Sequence, residues 1–179
     1  MKNLEKNSPE IEKVRNDLLN FAIDREDITW LMERLPKEAN IDRNTVEYEL
    51  QILKIISVGW SISYYLESNS LKNSLLESFW MAIYEFSQRL STTTGLMIGK
   101  DIDYFQILKD RLDMNVNALT RHPDATEPAS VIGREFARTC GNVDDIFTFM
   151  TGSKMFISTT GRVREYLETM KKNGIGGKK

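Results

Sequence analysis

Apolar residues are most concentrated between about residues 44 and 90. The run from Leu50 to Leu66 reads LQILKIISVGWSISYYL, and the segment LLESFWMAIYEF follows after a short polar break. Apolar positions in these segments recur at spacings of three and four, the period of a helix with a buried face. Burial of their large aromatic side chains would strongly favour folding. The pattern therefore predicts a central hydrophobic helical hairpin.

The remaining segments show the same helical spacing, and most of them carry a helix start or stop signal. The predicted boundaries are Pro9 after Ser8, Asp27 and Pro36 around a short helix, Asp101 or Asp103, Pro128 and Gly141, Asn142 for a short helix ending near Met150, and a last helix from about Met155 that stops at Gly174. We expect an all-α, single-domain bundle of six to eight helices over residues 1–173. Residues 174–179, GIGGKK, are expected to form a disordered tail.

The second half of the central run also fits a strand. Its apolar residues alternate strictly at positions 58, 60, 62, 64 and 66, and Gly59 and the serines are poor helix formers. Helix is the favoured interpretation because no segment that could form a partner strand follows.

Both ends of the hairpin have local signals. Asn44, with Glu47 three residues later, matches a capping box and predicts the start of the first helix. The stretch from Ser91 to Gly99, STTTGLMIG, contains two glycines and predicts a break after Leu90.

The composition is that of a globular protein, with 41% hydrophobic residues, 28% charged residues and a net charge of −2. The single cysteine, Cys140, rules out a disulfide within the chain and a cysteine-based zinc site. The N-terminal residues show no secretory signal, and the run from Leu50 to Leu66 is too short and too polar for a membrane span. We expect a cytoplasmic protein.

The sequence contains little that indicates catalysis. His122 is the only histidine and precedes Pro123 in a predicted loop, so di-iron and haem sites, which need inward-facing histidines, are not expected. The stretch TGLMIGK resembles a phosphate-binding loop but has the wrong glycine spacing. We predict no catalytic residue, metal or cofactor.

Small and aromatic residues in the hairpin suggest a binding surface. Gly59 and Ser63 lie one helical turn apart, which would allow close approach of a neighbouring helix or a flat ligand. Around them, Trp60, Tyr64, Trp80 and Tyr84 could accommodate a small apolar ligand or form a dimer interface, although aromatics at helical spacing are more often core. We expect a homodimer.

One segment, at about residues 27–56, is similar to the helix-turn-helix of winged-helix regulators. It contains a short helix, a polar turn at Ile41-Asp42 and a second helix. This resemblance implies that Arg43, Asn44, Thr45 and Tyr48 would face DNA. Residues 27–56 contain four basic and six acidic side chains, so binding to phosphates would be unfavourable.

Taken together, these patterns favour a cytoplasmic, non-enzymatic helical binding or assembly module that associates with itself. The alternative is a DNA-binding transcriptional regulator. Nucleic acid is not the expected partner, because the net charge of the resembling segment is −2.

Overall fold

Seven α-helices form the fold in the computed structural model, which describes residues 9–37, 41–67, 70–125 and 127–172. They are α1 (Pro9–Ile23), α2 (Glu26–Glu33), α3 (Arg43–Tyr65), α4 (Ser70–Ile98), α5 (Tyr104–Arg121), α6 (Pro128–Thr139) and α7 (Ile146–Lys172). The described ranges contain no strand, so the predicted all-α bundle of six to eight helices is confirmed. The tail predicted at residues 174–179 lies outside them.

The central element is α3, which contacts each of the other six helices. Every residue from Ile52 to Gly59 is buried, as expected for a helix with apolar residues on more than one face. The helix continues to Tyr65, so the alternative of a strand at residues 58–66 is wrong. A strand there would have needed a partner for its backbone groups, whereas the helix satisfies them internally.

Two clusters of buried apolar residues share α3. One joins α3 to α1, α4, α5 and α7, and includes Ile62, Phe79 and Val163. The other joins α3 to α2, α6 and α7, and includes Leu50 and Met155. Because α7 also contributes to both clusters, it packs along α3 over much of its length.

Two predicted helix caps are wrong by about two residues. The N-cap of α3 is Asp42 rather than Asn44, because the Asp42 carboxylate accepts hydrogen bonds from the backbone N–H groups of Asn44 (3.1 Å) and Thr45 (3.3 Å). The start of α2 is not capped by Asp27. Instead, Asp24 accepts from the backbone N–H of Glu26 at 3.1 Å, which leaves the Asp27 carboxylate free for other partners.

The break predicted from Ser91 to Gly99 is also wrong, because α4 continues to Ile98. The hydroxyls of residues 91–93 donate to the carbonyl oxygens four residues earlier, at 2.9 Å in each case, so these side chains follow the helix. The helix ends where Gly99 adopts a positive φ of 66°, a conformation that favours glycine. The hairpin therefore extends beyond residue 90.

The short helix predicted from Asn142 and the last helix predicted from about Met155 form the single helix α7. This helix begins at Ile146 and not at Asn142, and the Asp145 carboxylate accepts from the backbone N–H of Thr148 at 2.6 Å. Gly152, which lies where the break was expected, is buried in the contact with α6. A Cβ atom at Gly152 would lie 2.6 Å from the side chain of Phe136. This glycine therefore permits close helix packing and does not interrupt α7.

Candidate functional site

Lys54 is fully buried, and its charge is compensated within the fold. Its ammonium donates to the carbonyl oxygen of Asp24 at 2.8 Å and pairs with the Asp27 carboxylate at 3.2 Å. Asp27 also accepts from the Arg162 guanidinium at 2.9 Å and 3.1 Å. A buried ammonium needs such partners, and this group joins α2, α3, α7 and the end of α1. These polar side chains hold helices together.

A second buried charge has a similar arrangement. The Glu49 carboxylate accepts two hydrogen bonds from Arg111, both 2.9 Å long, in the bidentate geometry typical of arginine. The hydrogen bond to Glu49 raises the pKa of Arg111, so the guanidinium stays charged. Nearby, burial raises the pKa of the Cys140 thiol to about 12, so at neutral pH it is protonated and a weak nucleophile.

The residues predicted for a ligand or dimer site divide between different surfaces. Gly59 is buried, and a Cβ atom there would clash with the indole of Trp80 on α4. The Trp60 ring instead stacks on Tyr64 with centroids 4.7 Å apart and lies 5.4 Å from Phe156 on α7. These contacts face different neighbouring helices.

The other two predicted residues, Ser63 and Tyr84, also lie apart from these contacts. Ser63 is exposed, although it lies one turn from the buried Gly59. Tyr84 is 43% exposed and makes an edge contact with Phe105 on α5, with centroids 5.1 Å apart. The fold therefore does not bring the six predicted residues into one pocket.

The residues considered for DNA contacts have structural partners. Arg43 donates from its guanidinium to the carbonyl oxygens of Met32 and, at 3.4 Å, Leu35, and so satisfies backbone groups in the last turn of α2 and just after it. Asn44 and Thr45 donate to the Asp42 cap. Tyr48 lies beside Tyr104, with ring centroids 6.3 Å apart.

An unexpected feature is a row of large apolar side chains on the outward side of α7. The α7 apolar row comprises Ile146, Phe147, Met150 and Ile157, which are 56%, 45%, 43% and 58% exposed. Val143, just before the helix, is 50% exposed. The four residues within α7 fall on one helical stripe, opposite the buried Met155 and Thr159. Large apolar side chains exposed along one side of a helix make this surface a candidate interaction site.

The sequence predicted an apolar stripe at this row, but it did not predict that the stripe would face outward. Residues 143–150 do carry the predicted helical stripe. Periodicity identifies an apolar side of a helix but does not say whether that side meets the core or the surface. A second stripe of α7, which includes Met155, Val163 and Leu167, packs into the core.

A second exposed apolar group lies at the end of α4. Leu96, Met97 and Ile98 are 84%, 79% and 58% exposed. They are consecutive residues and point in different directions around the helix, so they form a tip and no continuous face.

The described part of the chain contains no group of three or more His, Cys, Asp or Glu residues that could hold a metal ion. None of its helices is both long enough and apolar enough to cross a membrane. No family model, curated protein or solved structure matches the chain.

Proposed function

We propose that the chain is a cytoplasmic, non-enzymatic helical module that associates with itself through the α7 apolar row. The observation that carries this proposal is the exposure of four large apolar side chains in one stripe. Beyond Ile157 the same side of α7 becomes charged, with Arg164, Glu165 and Glu168 exposed. This change delimits the apolar surface to the first half of the helix.

The spacing of the row suits a second copy of the same chain. In an antiparallel pair of α7 helices related by a two-fold axis near residue 152, Phe147 of each copy lies opposite Ile157 of the other. Met150 then lies opposite Lys154, whose aliphatic stem can cover it. Such self-complementarity is what a two-fold interface requires.

The buried polar groups support a non-enzymatic role. Lys54 and Glu49 bind partners on neighbouring helices, which accounts for their burial without a substrate. The burial and the raised pKa of Cys140 likewise favour a structural thiol over a catalytic one.

The alternative of a DNA-binding regulator has less support. Its first expected contact, Arg43, donates to the backbone carbonyl oxygens of Met32, in the last turn of α2, and of Leu35. A winged-helix regulator would also need a strand at residues 57–66 to form its wing, but residues 57–65 belong to α3.

Sedimentation velocity over a range of concentrations tests the self-association. We expect the wild-type chain to sediment as a dimer, with twice the chain mass of 20.7 kDa. The double variant Phe147→Glu/Ile157→Glu should sediment as a monomer, because a two-fold interface would bury four added carboxylates.

The matched control is Leu96→Glu/Met97→Glu, which adds the same charge to the exposed end of α4 and should leave the dimer intact. Circular dichroism should show that both variants keep the helix content of the wild type. A wild-type monomer at high concentration, or a dimer that survives the α7 substitutions, would contradict the proposal.

A further inference from the structure

A cleft opens between the first half of α3, the second half of α4 and the start of α5. Its apolar lining includes Ile52, Ile55, Phe86, Leu90 and Leu108, and its volume is about 260 Å³. A cavity of about 150 Å³ engineered in another protein binds benzene, so this cleft has room for an aromatic ring with substituents. Pockets for drug-sized ligands start at about 300 Å³, so the volume indicates a smaller molecule.

Two tyrosines provide an aromatic wall. The rings of Tyr48 and Tyr104 are inclined by 56°, with centroids 6.3 Å apart. Tyr104 is held in place, because its hydroxyl lies 3.2 Å from that of Thr94 and its backbone N–H donates to Ser91 Oγ at 3.3 Å. Burial raises the pKa of Tyr48 to about 12, so its hydroxyl is protonated at neutral pH and able to donate.

The polar residues of the cleft add hydrogen-bonding groups without an unpaired charge. Arg25 and Glu47, both of which line it, form an ion pair with each other. Gln51 donates through Nε2 to the carbonyl oxygen of Ala22 at 2.8 Å, and this hydrogen bond fixes its carboxamide at the edge of the cleft. Asn44, which is exposed, contributes a second carboxamide to the lining.

We propose that this cleft binds a small, neutral, planar aromatic molecule that carries hydrogen-bonding groups, with its ring against Tyr48 and Tyr104. The paired charges of Arg25 and Glu47 favour a neutral ligand over an ion, because an ion would need one of them to exchange partners. Asn44, Gln51 and the Tyr48 hydroxyl supply both donors and acceptors for its substituents. This binding activity is separate from self-association, because none of the cleft residues belongs to α7.

Titration of the isotope-labelled full chain with indole and with 2-naphthol, followed by NMR, tests the site. Saturable shifts are expected at the backbone amides of Tyr48, Gln51 and Tyr104, with dissociation constants in the millimolar range or lower. Naphthalene-2-sulfonate, the anionic counterpart of 2-naphthol, should bind several-fold more weakly. Equal or tighter binding of the sulfonate would overturn the assignment of a neutral ligand.

The Tyr48→Ala variant should bind both neutral probes about tenfold more weakly, because an aromatic contact contributes up to about that factor to affinity. Its matched control is Tyr64→Ala, which removes an exposed tyrosine outside the cleft and should leave both affinities unchanged. The proposal fails if neither neutral probe binds saturably at millimolar concentration. It also fails if a correctly folded Tyr48→Ala variant binds both as tightly as the wild type.

Discussion

The helices α3 and α7 are both long and rich in apolar residues, yet they are buried in different ways. Neighbouring helices surround α3, and even its Lys54 and Glu49 are buried. By contrast, α7 buries one apolar stripe against the bundle and leaves another, the α7 apolar row, exposed. Similar numbers of apolar residues can therefore build either a core helix or a helix that still has a surface to cover.

This difference has a physical origin in how the apolar positions are distributed around each helix. Between residues 50 and 62, α3 has apolar or small residues on every side, so no orientation would leave a polar side for solvent. The exposed stripe of α7 is interrupted by Lys154 and then by charged residues, which tolerate solvent. Matched substitutions in the two helices should therefore have unequal effects on stability.

The largest difference is expected between the two lysines. Lys54→Met should lower the free energy of unfolding by about 3 kcal/mol, because it leaves Asp27 with one cationic partner and the carbonyl of Asp24 without its donor. Lys154→Met replaces an exposed lysine on α7 and should change it by less than about 0.5 kcal/mol. Urea denaturation at low protein concentration measures both.

If the two methionine variants lost equal stability, the Lys54 ion pair would have no special role in the core. A wild-type value for Lys54→Met would mean that apolar packing of methionine compensates for the lost partners, as occurs in some buried ion pairs.

The next difference concerns two glycines. Gly59→Leu should destabilise the protein by about 1–3 kcal/mol, because even its Cβ atom would clash with the indole of Trp80. Gly161→Leu on α7 meets open space and should stabilise the helix by up to about 1 kcal/mol, since glycine is a poor helix former. Thermal unfolding followed by circular dichroism compares them.

An unchanged melting temperature for Gly59→Leu would show that Trp80 can move away at little cost. A loss of stability in Gly161→Leu would show that the outward side of α7 is already covered by another part of the protein or by a second copy.

The fold class could be predicted because spacings of three and four recur through nearly the whole chain. The errors occurred where a single residue type has two uses. A gap between two helices was predicted between Met150 and Met155, but Gly152 in this gap admits Phe136 into the contact between α6 and α7. The Ser and Thr residues before Gly95 were interpreted as a loop, yet their hydroxyls bond to the helix backbone. Local signals alone do not distinguish these uses.

The candidate surfaces were harder to predict, because they depend on which helices lie side by side. Tyr48 and Tyr104 are 56 residues apart in the chain, and only the packing of α5 against α3 brings their rings together. Likewise, Trp60 and Trp80 belong to one predicted hairpin but have different neighbours. Trp60 packs near Phe156 on α7, whereas Trp80 packs against Gly59 on α3. Periodicity along one segment contains no information about these pairings.

The smallest effect is expected at the start of α3, where Asp42 is the exposed N-cap. Hydrogen bonds from the side chain and then the backbone of Thr45 lower the pKa of Asp42 below its ordinary value of 3.8. Because the pKa is lower in the folded state than in the unfolded state, the carboxylate stabilises the protein above about pH 4, and this contribution is lost as the pH falls through the folded-state pKa.

An NMR titration of the Asp42 carboxyl carbon should therefore give a value below 3.8, and Thr45→Val, which removes the Oγ1 donor, should raise it. Serving as the control, Thr29→Val changes an exposed threonine on α2 and should leave the titration unchanged. A wild-type Asp42 pKa at or above the ordinary value would mean that this cap contributes no pH-dependent stability, and that packing alone fixes where α3 begins.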